Sequence, residues 1–143
     1  MKFAMTLDAA DPQLLARFWA TALEYVEAEP PPGWSTWEDW YRDHDVPESE
    51  WNDGAALEDP LGRGPSISIL KVPEPKSAKN RLHLDLQVSG GRHVDSTTRA
   101  SLIEAALSSL LDLGATVIER HQHRGELDHV VLADPEGNEF CVV

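Results

Sequence analysis

The chain carries one short signal twice. Asp59-Pro60-Leu61-Gly62 and Asp134-Pro135-Glu136-Gly137 share the pattern Asp-Pro-x-Gly. Each follows an apolar-bearing stretch and precedes a β-like run that closes its half of the chain. Upstream, each half opens with an alternating strand and continues into a long amphipathic helix. A duplicated strand-helix-strands unit predicts two half-sheets folding around a shared hollow, and such a hollow is a natural place for a ligand.

The pattern along the chain fills in that outline. Lys2 to Asp8 alternates apolar with small or polar residues and reads as a strand. Asp11-Pro12 starts a helix whose stripe is Leu14, Leu15, Phe18, Trp19, Ala22 and Leu23. A short strand over 25–28 follows, then Pro30-Pro31-Pro32-Gly33, which breaks regular structure. Residues 55–58 and 66–72 are the remaining strands of this half, and Pro73-Glu74-Pro75-Lys76 is a stiff link. The second half repeats the order. Strand 81–88 has His83, Asp85 and Gln87 on its polar face, and a helix runs from Asp95 or Ser96 to Leu113 and stops at Gly114. Strands 116–119, 127–133 and 139–143 complete it. Arg120, His121, His123 and Arg124 read as a solvated basic tip between two of these strands.

Composition narrows the function. The chain has 143 residues, enough for one domain with a real core. Its net charge of -13 opposes the nucleic-acid backbone, which requires Lys and Arg, and opposes docking on anionic lipid. The charge is compatible with a cationic ligand, although solubility alone accounts for it. A single cysteine, Cys141, excludes an internal disulfide and a cysteine-based zinc cluster. No signal-like opening and no bilayer-length apolar run is present, so a cytoplasmic protein is expected.

Local stretches sharpen the picture. Val72-Pro73-Glu74-Pro75-Lys76 followed by Lys79-Asn80-Arg81-Leu82-His83-Leu84-Asp85-Leu86 is one. Trp51-Asn52-Asp53-Gly54-Ala55-Ala56 and Asp134-Pro135-Glu136-Gly137-Asn138-Glu139-Phe140 flank it. With the duplicated layout, these resemble the vicinal oxygen chelate superfamily, and within it the glyoxalase-like and bleomycin-resistance-like domains. The resemblance covers the whole chain. It implies an α+β fold of two tandem βαβββ modules forming a curved mixed sheet around a central cavity. The expected layout is a single domain over 1–143, with module one at 1–73, an insert at 30–53 and module two at 80–143.

The resemblance also bears on metal binding. Metal-dependent members hold a divalent ion with one side chain from the first and last strand of each half. In the second half those positions match His83 and Glu139, the candidate metal ligands and, in an enzyme, the candidate catalytic groups. Imidazole nitrogen with carboxylate oxygen suits Zn, Ni, Fe or Mn. The first half offers no partners. Ala4 falls opposite His83, and Gly64-Pro65-Ser66-Ile67-Ser68 contains neither carboxylate nor imidazole. Two protein donors leave most of the coordination to water, so no cofactor is assigned firmly.

Other residues suggest a ligand pocket. The insert holds Trp34, Trp37, Trp40, Tyr41 and Trp51 among many acids; aromatic faces stack on planar ligands or hold cations. Trp34 and Trp37 are expected at the pocket mouth, with Trp40 and Trp51 anchoring the insert. Asp8 and Asp85 fall on the cavity faces of their strands, His129 lies in a strand that can face the cavity, and Cys141 shares the side of Glu139. The residues are best explained by a small-molecule-binding, glyoxalase-like protein. It would sequester or act on an apolar or aromatic compound, with a cation as an option, between the modules. The rival is a metal-dependent lyase, isomerase or dioxygenase, so whether the chain is an enzyme stays open. A third reading makes the Trp insert a protein contact. Open sheet edges and the superfamily's habit of pairing lead to an expected homodimer.

Overall fold

The computed structural model describes residues 2–143. It is an α+β protein with two four-stranded mixed sheets, each built by one βαβββ-like module. The chain separates into two compact units, one ending at Pro75 and the other spanning Lys76–Val143. Among the described residues no helix is long and apolar enough to cross a membrane.

The first unit contains β1 (Ala4–Ala9), α1 (Pro12–Leu23), β2 (Val26–Glu27), α2 (Trp37–Asp43), β3 (Gly54–Glu58) and β4 (Ser66–Lys71). Asp11 caps α1 by accepting the Leu14 amide at 3.0 Å, and Pro12 occupies the first turn, where a missing N–H costs nothing. The helix ends at Glu24, whose left-handed φ of 57° reverses the chain. The sheet order is β1-β4-β3-β2, with β1 and β4 parallel and the other pairs antiparallel. Because side chains alternate across a strand, one face collects Leu57, Ile67 and Ile69, all buried. The α1 residues Leu15, Phe18 and Trp19 are buried with them, since α1 packs on β3 and β4.

The second unit repeats this plan with β5 (Asp85–Leu86), α3 (Ser96–Asp112), β6 (Thr116–His123), β7 (Glu126–Ala133) and β8 (Glu139–Val142). Its order is β5-β8-β7-β6, again with the first and last strands parallel. Ile103, Leu107 and Leu110 of α3 are buried, as are Val130, Leu132, Phe140 and Val142 on the facing strands. Two expectations change. The strand expected over 81–88 is confined to Asp85–Leu86 in ladder terms, although the Cys141 amide still reaches Leu84 O at 2.8 Å. The expected tip at 120–124 does not exist as such. β6 continues to His123 and turns at Arg124-Gly125. Register shifts between Val117 and Glu119 and between His121 and Gln122 break the two-residue alternation, so the sequence did not read as a strand there.

Both Asp-Pro-x-Gly signals are turns, and both work the same way. Asp59 accepts the amides of Leu61, Arg63 and Gly64 at 2.8 Å each, and Asp134 accepts those of Glu136 and Asn138 at 3.0 and 2.9 Å. The main-chain oxygen of each aspartate accepts the amide of its turn glycine, at 2.8 Å for Gly62 and 2.9 Å for Gly137. Those glycines sit at φ of 64° and 90°, where a side chain would be strained. Asp134 is only 3% exposed, so water cannot replace its bonds. Asp134→Ala is therefore expected to lower unfolding stability by roughly 2 kcal/mol in urea titrations, and Asp59→Ala by clearly less. Equal urea midpoints for Asp134→Ala and the parent would contradict this account.

Candidate functional site

In the first unit the face of the sheet away from α1 is nearly bare. Register sets Ala4 beside Ser66, Thr6 beside Ser68, and Ala56 beside Ser68 on the other side. Gly54 pairs with Leu70, and Asp8 pairs with Leu70 from β1. Most of these side chains are small, so the face leaves room above it. The insert uses that room. Trp37, Trp40, Tyr41 and Trp51 share a cavity of ≈ 450 Å³ with Gly54, Ala56, Ser68 and Leu70.

Local chemistry explains why the insert adopts this shape. Thr36 caps α2 by accepting the Asp39 amide at 3.1 Å, and Glu38 and Asp39 in the first turn complement the helix dipole. Three indole N–H groups are each satisfied: Trp37 on Ala28 O at 2.8 Å, Trp51 on Val46 O at 3.0 Å and Trp34 on the Asp43 carboxylate at 3.2 Å. Tyr41 stacks on Trp51 with ring centroids 5.7 Å apart, Trp40 meets Trp37 edge-on at 5.8 Å, and Trp40 stacks on His44 at 4.1 Å. At the far end, Lys71 ties the insert down through a 2.7 Å ion pair with Asp53. No residue of α2 is fully buried, so the rings keep surface available to a ligand.

The electrostatics of this cavity point one way. Its carboxylates are Glu27, Glu38 and Glu50, and no Lys, Arg or His lines it. Burial, and then the charges of Glu27 and Glu38, push the Tyr41 phenol above its ordinary value. The three carboxylates, with no basic side chain in the lining, favour a cation over an anion. The Arg42 guanidinium carbon lies 5.0 Å from the Trp51 ring centre, a cation–π distance.

In the second unit the outward face of the sheet is polar instead. Asp85, His129 and Cys141 come together in a cavity of ≈ 520 Å³ with Arg92, Arg99 and Asp128. Burial, and then the neighbouring Asp85 carboxylate, push the Cys141 thiol up. His83 and Glu139 line a different cavity, of ≈ 630 Å³, together with His121 and Glu119. His121 stacks on His129 across the β6–β7 pair, with centroids 4.4 Å apart.

The His83–Glu139 pair does not fit a metal ion. Glu139 accepts the Asn80 amide at 2.5 Å, and its other oxygen lies 3.5 Å from the Lys76 ammonium. The Asn80 bond first, and the Lys76 charge after it, hold the Glu139 carboxyl below its ordinary value. A divalent cation at this carboxylate would meet an ammonium already in place. Among the described residues no three His, Cys, Asp or Glu side chains converge on one point, and the register places Ala4 and Ser66 side by side in the other unit.

The remaining pocket residues are scattered. Trp37 lines the aromatic cavity, whereas Trp34 and Asp8 do not. Trp40 and Trp51, expected as anchors, line it as well. Tyr41, Glu27, Glu38 and Glu50 complete it, and the density of rings and acids between 27 and 51 was the signal for them. The Arg92, Arg99 and Asp128 cluster had no sequence signal, because an Arg inside an amphipathic helix ordinarily points to water.

Comparisons with known proteins agree on the architecture. A family model described as a glyoxalase-like domain matches residues 4–143. Among solved structures, a glyoxalase/bleomycin resistance protein/dioxygenase family enzyme of Burkholderia phytofirmans superposes with a TM-score of 0.60 at 13% identity, covering 97% of this chain and 94% of that one. A fosfomycin resistance protein of Listeria monocytogenes, solved as a mutant with Mn(II) and 1S,2S-dihydroxypropylphosphonic acid, gives 0.59 at 12%, over 97% and 85% of the chains. A glyoxalase/dioxygenase of Nostoc punctiforme gives 0.54 at 17%, over 97% and 86%. At these identities the likeness concerns the fold alone. No curated protein matches the sequence.

The charged cluster generates a test of stability. Arg92 grips Asp128 with two bonds of 2.9 Å, His129 Nδ1 lies 3.0 Å from the same carboxylate, and Arg99 reaches it at 3.3 Å. The Arg92, His129 and Arg99 bonds hold the Asp128 carboxyl far below the carboxylate range. A depressed folded pKa adds stability that is complete above the unfolded value of about 3.9 and is lost as pH falls towards the folded one. Asp128→Asn should cost roughly 3 kcal/mol at pH 7, and the gap to the parent should narrow below about pH 4. Circular dichroism of urea unfolding at several pH values measures both.

Proposed function

The chain belongs to the glyoxalase-like domain family, and from that premise we propose that it is a small-molecule-binding protein that sequesters an apolar or aromatic compound bearing positive charge. One observation carries the reading. Four aromatic side chains and three carboxylates, with no basic group among them, line a single cavity of ≈ 450 Å³ in the first unit. Rings contribute apolar area and a negative face to a cation, and carboxylates add long-range attraction. The floor of Gly54, Ala56 and Ser68 leaves the depth that a planar ligand needs. Sequestration of this kind requires shape, stacking and charge, and no bond is made or broken.

The rival reading as a metal-dependent lyase, isomerase or dioxygenase finds less support in these residues. Its two donors are His83 and Glu139, and Glu139 is already held by Asn80 and Lys76.

Two probes of one shape test the proposal: phenyltrimethylammonium and its neutral counterpart tert-butylbenzene. Quenching of tryptophan fluorescence should show the cation binding at least tenfold more tightly. Trp37→Ala should abolish most of the binding. Glu38→Gln should weaken the cation and leave the neutral probe unchanged. Equal affinity for the two probes would remove the charge from the proposal, and no binding of either would end it.

A further inference from the structure

Gln13 lines the aromatic cavity, and the rings and acids around it do not account for it. It lies in the first turn of α1 and is half-buried. Strand β2 is two residues long and pairs with β3 at Leu57 and Glu58, so the Gly54 end of β3 has no strand on its outer side. The Gln13 amide covers that end, with Nε2 donating to the Gly54 carbonyl at 2.8 Å. The contact fixes which way the amide faces, because the reverse orientation would set two oxygens against each other at that distance. Oε1 is the end left over, and among the described residues it accepts no hydrogen bond.

This oxygen decides which cation the cavity suits. Ring faces attract a fully alkylated ammonium and one that carries an N–H alike, since both bear charge. The difference lies in the hydrogen bond. An ammonium with an N–H gives up a bond to water on entering and regains it only where an acceptor stands. The carboxylates of Glu27, Glu38 and Glu50 are exposed and keep their water, whereas the half-buried Gln13 amide loses water once a ligand covers it. A shell of methyl groups would leave Oε1 stripped and unpaired, which costs binding energy. The Trp37 and Trp51 N–H groups cannot meet that oxygen instead, because they are spent on Ala28 O and Val46 O.

We propose that the cation held in this cavity is a protonated amine with at least one N–H, which donates to Gln13 Oε1, and that Gln13 selects it over a quaternary ammonium. This selectivity presupposes that the aromatic cavity is the ligand site, and it narrows the ligand to one class. The Gly54 carbonyl takes part by holding the amide with its acceptor end free.

Two probes with the same ring and the same charge separate the classes: benzyldimethylammonium, protonated at neutral pH, and benzyltrimethylammonium, which has no N–H. Calorimetric titration of the full chain should show the N–H probe binding about fivefold or more the tighter of the two. Gln13→Met keeps the length and removes the acceptor, and in that variant the ratio of the two affinities should fall to one or below. The ratio is read within one protein, so a general loosening of the site weakens both probes and leaves it unchanged. In the parent chain the Gln13 side-chain amide signals of a nitrogen–proton NMR spectrum should shift saturably with the N–H probe and far less with the quaternary one. Equal affinities in the parent chain would overturn the N–H class and leave the aromatic cavity standing as a cation site. An unchanged ratio in Gln13→Met would overturn the role of Gln13. Binding of neither probe would end this selectivity together with the cavity's part in function.

Discussion

Two aspartates each tether a turn, and the rest of each half depends on that tether. Asp59 and Asp134 accept hydrogen bonds from amides two to five residues ahead. Such bonds replace the solvation that a reversing backbone loses, and they set where the following strand begins. β4 and β8 can then lie antiparallel to the strand before and parallel to the first strand of their unit. That placement closes a four-stranded sheet with a helix on one face and leaves the other face free for chemistry.

The two free faces differ although the strand order is the same. In the first unit small residues line the strands, and a long insert supplies large rings and acids from outside the sheet. In the second unit the strands themselves carry the polar groups, and a helix residue, Arg99, joins them. A duplicated frame permits this because each copy's stability comes from its helix-facing core. Leu15, Phe18 and Ile69 in one unit, and Ile103, Leu107 and Phe140 in the other, are shielded from water whatever lies on the opposite face.

The His83–Glu139 pair shows the limit of reading a site by position. The resemblance put imidazole and carboxylate at the two positions expected of metal ligands in the second half. The structure gives the carboxylate to the Asn80 amide and the Lys76 ammonium instead. The residues that occupy the carboxylate come from the local loop 76–80. Nothing in the spacing of His83 and Glu139 could have shown this.

Much of the fold was legible because it rests on short-range rules. Helix α1 begins where Asp11 and Pro12 say it should, and α3 begins after Asp95, since capping involves neighbours only three residues apart. Leu15, Phe18, Trp19, Ile103, Leu107 and Leu110 followed from the helical stripes, whereas Phe3, Leu82, Leu102 and Leu111, expected on apolar faces, are exposed. What only the tertiary structure decided depends on groups far apart in the chain. The bulges that carry β6 on to His123 come from its pairing with β7, and alternation cannot anticipate a residue inserted by a partner strand. The aromatic cavity needs Glu27, the insert and β3 in one place, and the Arg99–Asp128 contact spans 29 residues. Local bonding is written in adjacent residues. Charge pairing and cavities arise only when distant segments exclude water together.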